Sequence, residues 1–305
     1  MVTTLCLNPC FDRTVTVDGL HHGRTSRIQT SRTDPGGKGI NVALAAMHLG
    51  MEVGCLWCAP EEGRRQMQRQ LEDRSLSHTP IPVPGVLRTN LKVITPDGIA
   101  TEINEPGAWM DEDSLKAVSE ACSQITGSYV VMTGSLPAGC PEGTYAALMQ
   151  KVHVPTILDT SGKELLRGLA ARPLLIKPNV EELEKALQIS IKGTGDIASA
   201  ARQLMELGAQ NVLVSMGGDG AMLFTPAHAY FASPLDVPVV STVGAGDAMV
   251  AGVLHGLVVT GDLVQAFRYG VAAGSAAVGT KGTQPFALET WQALLEQVTL
   301  QEVDM

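Results

Sequence analysis

Residues 241–256 read Ser-Thr-Val-Gly-Ala-Gly-Asp-Ala-Met-Val-Ala-Gly-Val-Leu-His-Gly, a glycine turn that runs straight into a helix of small residues with an acid at its entrance. Gly244, Ala245 and Gly246 let a ligand approach the backbone closely. The free N–H groups of the first helical turn, with the positive end of the helix dipole behind them, then make a site for an anion such as a phosphate. Asp247 falls beside that site. A carboxylate there can take the proton from a hydroxyl that attacks phosphorus while the amides hold the developing negative charge, which is phosphoryl transfer without a histidine or cysteine nucleophile. A plainer reading stands beside it: Asp is common at helix starts, and Asp247 could simply cap the turn.

Working outward from this turn, the chain alternates from about residue 110. The pattern gives a helix over 111–124, a strand Tyr129–Met132, a helix 142–151, a strand Thr156–Leu158, a helix 162–170, a strand Leu174–Ile176 and a helix 180–188. That is the βαβ wrapping of a parallel sheet. A helix at 196–207 leads into a strand Asn211–Ser215, then a glycine turn and strands near 221–225 and 228–232, and helices over 245–260, 262–279 and 287–298 close the chain. Residues 11–33 and 86–104 break the alternation: they are polar, β-branched and rich in turn formers, and Asn90-Leu-Lys-Val-Ile-Thr alternates like a half-exposed strand. Together they are expected to form a small sheet, a lid over the carboxyl edge of the main sheet, where open α/β proteins bind ligands. No repeat, low-complexity tract or linker divides the chain, so residues 1–305 read as one domain.

Composition narrows the function classes. With 305 residues, 45% of them hydrophobic, and 32 glycines, the chain can bury a large core and suits an α/β enzyme. Only 4% aromatics argues against a stacking platform for nucleic acid or carbohydrate. Asp and Glu outnumber Lys and Arg by 31 to 22, so no global positive field gathers nucleic acid or anionic lipid, and a phosphorylated substrate needs local cations. The chain begins Met-Val-Thr-Thr-Leu-Cys-Leu, an immediate strand, and no run approaches the ~18 apolar residues of a membrane span, so a cytoplasmic protein is expected. Six scattered cysteines fit reduced thiols, and Cys55-Leu-Trp-Cys58 reads as part of a strand with no second pair at zinc spacing.

Three further segments and two single residues carry candidate chemistry, each with a plainer structural reading. Asp34-Pro-Gly-Gly-Lys-Gly-Ile-Asn exposes backbone at its glycines, with Lys38 supplying charge and Asn41 a donor and an acceptor, or it is only a turn before a helix. It is not a Walker A loop, because Gly39 and Ile40 follow Lys38 where Ser or Thr is needed, and Met249 spoils a G-x-G-x-x-G reading of the later turn. Lys177-Pro-Asn179-Val-Glu-Glu182 places Asn179 and Glu182 on one side of a first helical turn, suited to hydrated magnesium held through water, or equally to a helix cap. Ser215-Met-Gly-Gly-Asp-Gly220 could lie against a nucleotide or be a tight connection. Asp12 and Arg88 are a candidate hydroxyl acceptor and a candidate phosphate clamp, or ordinary surface charges.

Taken in order, Asn8-Pro-Cys-Phe-Asp12, Gly36-Gly-Lys-Gly-Ile-Asn-Val42, Gly134-Ser-Leu-Pro137, Lys177-Pro-Asn179, Ser215–Gly220 and Thr242-Val-Gly-Ala-Gly-Asp247 resemble the ribokinase-like PfkB carbohydrate kinases over the whole chain. Within that superfamily they resemble the branch of 1-phosphofructokinase, tagatose-6-phosphate kinase and the minor bacterial 6-phosphofructokinase. The resemblance implies a three-layer α/β/α sandwich with a β lid, ATP as donor with Mg²⁺, and a homodimer joined through the lid sheets. It implies Asp247 as the base and Gly244, Ala245 and Gly246 as the anion hole. Asp12, Gly37 and Asn41 fall on the sugar, and Lys38 and Arg88, with Arg27, on the phosphate the sugar already carries. Lys177, Asn179, Ser215, Gly217 and Gly220 fall on the nucleotide side, and Glu182 on the metal through water. The implied reaction is phosphorylation of a primary hydroxyl of a ketohexose monophosphate, fructose 1-phosphate first, with tagatose 6-phosphate and fructose 6-phosphate behind it. A nucleoside kinase and a non-catalytic sugar-phosphate sensor are the readings from other classes. Two departures bear on the sugar: Cys10 stands where relatives usually carry a small residue, and Arg24-Thr-Ser-Arg27 lacks the asparagine that many have before the last arginine.

Overall fold

The strand Val2–Cys6 is buried along its whole length, as a central parallel strand covered on both faces must be. The computed structural model describes residues 1–303. It begins with β1 (Val2–Cys6), β2 (Cys10–Val17), β3 (Ile28–Gly36), α1 (Lys38–His48), β4 (Val53–Glu62), α2 (Arg64–Glu72), β5 (Ser77–Val86), β6 (Arg88–Ile94) and β7 (Ala100–Asn104). The alternating part follows as α3 (Glu112–Ser123), β8 (Tyr129–Thr133), α4 (Thr144–Met149), β9 (Thr156–Asp159), α5 (Gly162–Gly168), β10 (Leu175–Ile176), α6 (Val180–Leu187), α7 (Thr194–Glu206) and β11 (Val212–Ser215). The chain then forms β12 (Ala221–Phe224), β13 (Ala229–Ala232), α8 (Ala245–Thr260), α9 (Leu263–Val278), α10 (Leu288–Gln297) and β14 (Leu300–Val303).

The main sheet has ten strands in the order β14-β13-β12-β11-β10-β9-β8-β1-β4-β5. From β5 across to β11 all pairs are parallel, as expected of βαβ units, but β12, β13 and β14 run antiparallel. The reason is local: the Gly217–Gly220 turn returns the chain directly, with no crossover helix between β11 and β12. Side chains alternate between two cores, so Val131, Ile157 and Leu213 face one and Met132, Leu158 and Val214 the other. Helices α1, α2, α8, α9 and α10 cover the first core and α3 to α7 the second, giving three layers. The small residues of α8 serve this packing: a Cβ on Gly256 would lie 2.4 Å from the Cα of Ala266 in α9.

The second sheet takes its four strands from the two segments that break the alternation, in the order β3-β2-β6-β7. Its register sets Asp12 opposite Asp34 on one side and Asn90 on the other, with Asn90 opposite Asn104. Since cross-strand partners share a face, Arg88, Asn90 and Lys92 stand together on the polar face, and Val15, Leu91 and Val93 on the other.

Candidate active site

β1 lies between β8 and β4, where successive strands are laid down in opposite directions, and in open α/β sheets ligands bind beyond the carboxyl ends of the strands at such a point. A cleft of about 890 Å³ opens there, walled on one side by the strand ends of the main sheet and on the other by the polar face of the small sheet. Cys6, Thr133, Thr160, Lys177 and Ser215, each at or just beyond a strand end, line it, as do Asp12, Arg88 and Asn90 across the gap.

At the centre is the entrance to α8. Gly244 takes a left-handed conformation, with φ of 81°, that a side chain would strain, and a Cβ there would come within 3.0 Å of Thr283. Asp247 sits in the first turn of α8 and is only 7% exposed. Asn41, from the first turn of α1, donates from Nδ2 to Asp247 Oδ2 at 2.9 Å, while its own Oδ1 is buried without a partner. Burial pushes the Asp247 carboxyl up to about 6, against the pull of the Lys38 ammonium. A carboxylate poised near neutrality and backed by open amides is the arrangement general-base chemistry on a phosphate ester requires.

Below this turn lies a group that sequence reading missed. Asp159, the last residue of β9, is 1% exposed and accepts from Thr133 Oγ1 at 3.1 Å. Lys177 Nζ lies 3.4 Å from its Oδ1 and Lys38 Nζ 3.4 Å from its Oδ2, with Glu182 Oε1 3.9 Å from Lys38. Burial alone would push the Asp159 carboxyl up, but the Lys177 and Lys38 ammoniums and the Thr133 hydroxyl outweigh it and hold it below the usual carboxylate range. In turn Asp159 raises the Lys38 ammonium further above its ordinary value, so Lys38 is charged at any working pH. The signal was present in the sequence: Thr-Ile-Leu-Asp ends a buried strand on an acid at the edge where ligands bind.

The other candidates divide. Gly37 caps α1, and with Asp12, Asn41, Arg88, Ser215, Gly217, Gly220 and the whole 244–247 turn it lines the cleft. Asp12 Oδ1 accepts from Cys10 Sγ at 3.4 Å and Asn90 Nδ2 at 3.3 Å, so the unusual thiol at position 10 touches the acid. Arg88 donates to the carbonyls of Asn8, Pro9 and Glu105, tying the small sheet to the end of β1. Arg27 is exposed in the connection before β3 and does not line the cleft. Asn179 and Glu182 form a reciprocal capping box on α6: Asn179 Oδ1 accepts from Glu182 N at 2.8 Å and Glu182 Oε2 from Asn179 N at 3.0 Å. The capping reading of this pair is therefore realised, and Glu182 keeps Oε1 outside the box. Leu235, Val237, Val239, Val271 and Val278 form an apolar slot beside Gly217–Gly220 that sequence reading also missed, because it is built from a loop and one flank of α9.

Cys55 and Cys58 are buried in β4, and burial pushes both thiols up, so they are core residues and not a reactive pair. Among the described residues no cluster of three or more His, Cys, Asp and Glu side chains could hold a metal by itself, and no helix is long and apolar enough to cross a membrane.

Residues 6–291 match the family model described as pfkB family carbohydrate kinase. A 1-phosphofructokinase of Rhodobacter capsulatus is 37% identical over 306 residues, 98% of this chain and 97% of that protein. One from Bacillus subtilis (strain 168) is 34% identical over 304 residues, 98% of both. The crystal structure of phosphofructokinase-2 from Escherichia coli in complex with potassium superposes with a TM-score of 0.92 at 30% identity, over 97% of this chain and 98% of that one. The ribokinase-like sandwich read from the motifs is thus the fold found, and the chain belongs to the pfkB family of carbohydrate kinases.

Proposed function

We propose that this kinase transfers the γ-phosphoryl group of ATP to the free primary hydroxyl of fructose 1-phosphate, giving fructose 1,6-bisphosphate and ADP. The observation that carries the reading is Asp247: a buried carboxylate beside the open amides of Gly244 and Gly246, the Ala245 N–H being taken by the Thr242 carbonyl at 3.4 Å, and facing a cleft whose far wall offers Asp12, Arg88 and Asn90 to a phosphosugar. The names of the Rhodobacter capsulatus and Bacillus subtilis relatives support the choice of sugar.

In this reading the sugar lies between Asp12, Gly37 and Asn41, with its existing phosphate toward Arg88. Asp247 accepts the hydroxyl proton as the oxygen forms its bond to the γ-phosphorus. The bond from that phosphorus to the β–γ bridging oxygen breaks, and ADP leaves with the electron pair. The N–H groups of Gly244 and Gly246 face the charge on the transferred group. The triphosphate runs past Lys177, Asn179 and Ser215, and the base lies in the apolar slot beside Gly217 and Gly220. The donor set suits Mg²⁺ carried in on the ATP phosphates: one free carboxylate oxygen, on Glu182, can reach such an ion through water, and bound Mg²⁺ would neutralise phosphate charge.

The small sheet acts as the lid of one kinase domain, and the exposed β7 edge and Ile103, 54% exposed, support pairing with a second copy. A cytoplasmic setting fits the buried free thiols.

The test is ATP consumption with Mg²⁺ across fructose 1-phosphate, tagatose 6-phosphate, fructose 6-phosphate, unphosphorylated hexoses and nucleosides, compared as kcat/KM. Fructose 1-phosphate is expected to lead. Turnover only of unphosphorylated sugars or nucleosides would overturn the reading.

A further inference from the structure

Four cations line the cleft, and they fall into two pairs on its two walls: Lys38 and Lys177 on the edge of the main sheet, Arg88 and Lys92 on the small sheet. The first pair shares one buried acid. Lys177, 4% exposed, reaches Asp159 Oδ1 and Lys38 reaches Oδ2, both at 3.4 Å. A Cβ built on Gly246 would lie 3.3 Å from Lys177 Nζ, so that ammonium rests against the anion turn itself. Asp159 therefore holds both ammoniums beside the turn, Lys177 buried and fixed against it, and Lys38, whose side chain is 39% exposed and also lies 3.9 Å from Glu182, reaching out into the cleft. The second pair stands apart. Arg88 and Lys92 are on one face of β6 with Asn90 between them, and Lys92 pairs with Glu102 at 3.5 Å. Four residues of strand separate their Cα atoms by about 13 Å; the carbonyls of Asn8, Pro9 and Glu105 hold the Arg88 guanidinium in place with two N–H groups left over, and Lys92 is the long side chain that can close on a phosphate lying over Asn90.

We propose that the two pairs do different work, Lys38 and Lys177 meeting the phosphoryl group in transit while Arg88 and Lys92 hold the phosphate the sugar already carries. Lys38 thereby belongs to the donor side, in contrast to the place the family resemblance gives it. Lys92 becomes a specificity residue, and Asp159 a positioning residue that acts through the two lysines. The inference rests on the reading of the chain as an ATP-dependent kinase of a phosphosugar. Its physical content is that charge on the transferred group and the leaving oxygen is stabilised by donors already fixed in place, whereas a phosphate remote from the reaction needs only to be bound.

The experiment is steady-state kinetics of Lys38→Met and Lys92→Met, with ATP and whichever substrate the wild type turns over, and a thermal melt of each variant beside it. Lys38→Met is expected to lower kcat by about 10²–10³-fold, the cost of one lost charge-stabilising donor, with the sugar-phosphate KM held within about twofold. Lys92→Met is expected to raise that KM by about 10–100-fold with kcat kept. A Lys38→Met enzyme with intact kcat and a raised sugar KM, or a Lys92→Met enzyme with unchanged KM, would overturn the division. For Asp159 the readout is a double-mutant cycle: Asp159→Asn should cost kcat far less in the Lys38→Met background than alone, and full additivity would remove its positioning role. If Asp159→Asn does not fold, the two lysine variants still decide. If the wild type turns out to use an unphosphorylated sugar, the substrate reading fails through an unaffected Lys92→Met, while the kcat loss in Lys38→Met stands or falls on its own.

Discussion

The two walls of the cleft are built to opposite rules. On the main sheet the polar groups stand at the ends of strands buried on both faces, and each is fixed by a neighbour: Asp159 by two lysines, Asp247 by Asn41, Asn179 and Glu182 by each other. The small sheet is covered mainly on one side: β7 is exposed from end to end, and Ile28 and Ile103 are each more than half exposed. Chemistry needs groups held to fractions of an ångström, which a doubly covered sheet supplies, while a thinly covered sheet can open, close and meet a partner. The contrast predicts that substitutions on the first wall change rate and those on the second change recognition and assembly.

The largest effect should come from Asp247→Asn, which keeps the shape of the first wall and removes its base. A loss of about 10²–10⁴-fold in kcat is expected, with little change in KM. The same variant should be more stable than the wild type at pH 8. Because burial raises the folded-state carboxyl to about 6 from an ordinary 3.8, the native state binds the proton more tightly than the unfolded chain, so this group weakens the fold as pH rises through that window. The penalty is on the order of 3 kcal/mol above pH 6. A denaturant melt showing Asp247→Asn less stable than the wild type at pH 8 would place the acid in a structural role.

Next in size is the pH profile. With burial raising the Asp247 carboxyl of the free enzyme to about 6, kcat/KM for the sugar phosphate should fall roughly tenfold for each pH unit below that point. A stopped assay at sugar phosphate well below KM across the pH range measures it, and a limb that survives unchanged in Asp247→Asn would assign the titration to another group. On the second wall, Ile103→Lys should leave kcat near the wild-type value but weaken self-association at least about tenfold in sedimentation, since burying an isoleucine contributes roughly 1.5–3 kcal/mol. Unchanged association would take the partner off this face.

The same contrast governs what was legible in the sequence. The first wall is written in local patterns: the bounds of α8 follow from the Gly-Ala-Gly-Asp turn, and the strand positions of β8, β9 and β11 from short buried runs. The site residues that local pattern could not reveal are those whose meaning depends on a distant partner. Asp159 matters because Lys38, 121 positions earlier, reaches it across the sheet, and nothing near either residue announces the pair. Lys92 joins Arg88 only through the period of a strand whose polar face could not be told from a solvent-facing one. At the far edge β12 and β13 fall where the glycine turn placed strands, but their direction was not legible and β14 was not foreseen, because strands of four residues carry too little pattern.

The smallest effect tests the place where structural and functional readings overlap most closely. Asn179 caps α6 and Glu182 returns the bond, so Asn179→Ala should lower stability by about 1 kcal/mol, a loss that Asn179→Asp recovers because either side chain accepts the N3 amide. That result alone would leave the pair a helix cap. Glu182→Gln separates the roles: glutamine preserves the capping box, so the melting temperature should hold, while the carboxylate charge facing Lys38 is lost. If Glu182 also reaches a phosphate-bound Mg²⁺ through water, half-maximal activity should require more Mg²⁺ in this variant although the fold is unchanged. An unmoved Mg²⁺ requirement would mean that the main-sheet wall spends this acid on the helix alone and that the metal is held by the nucleotide.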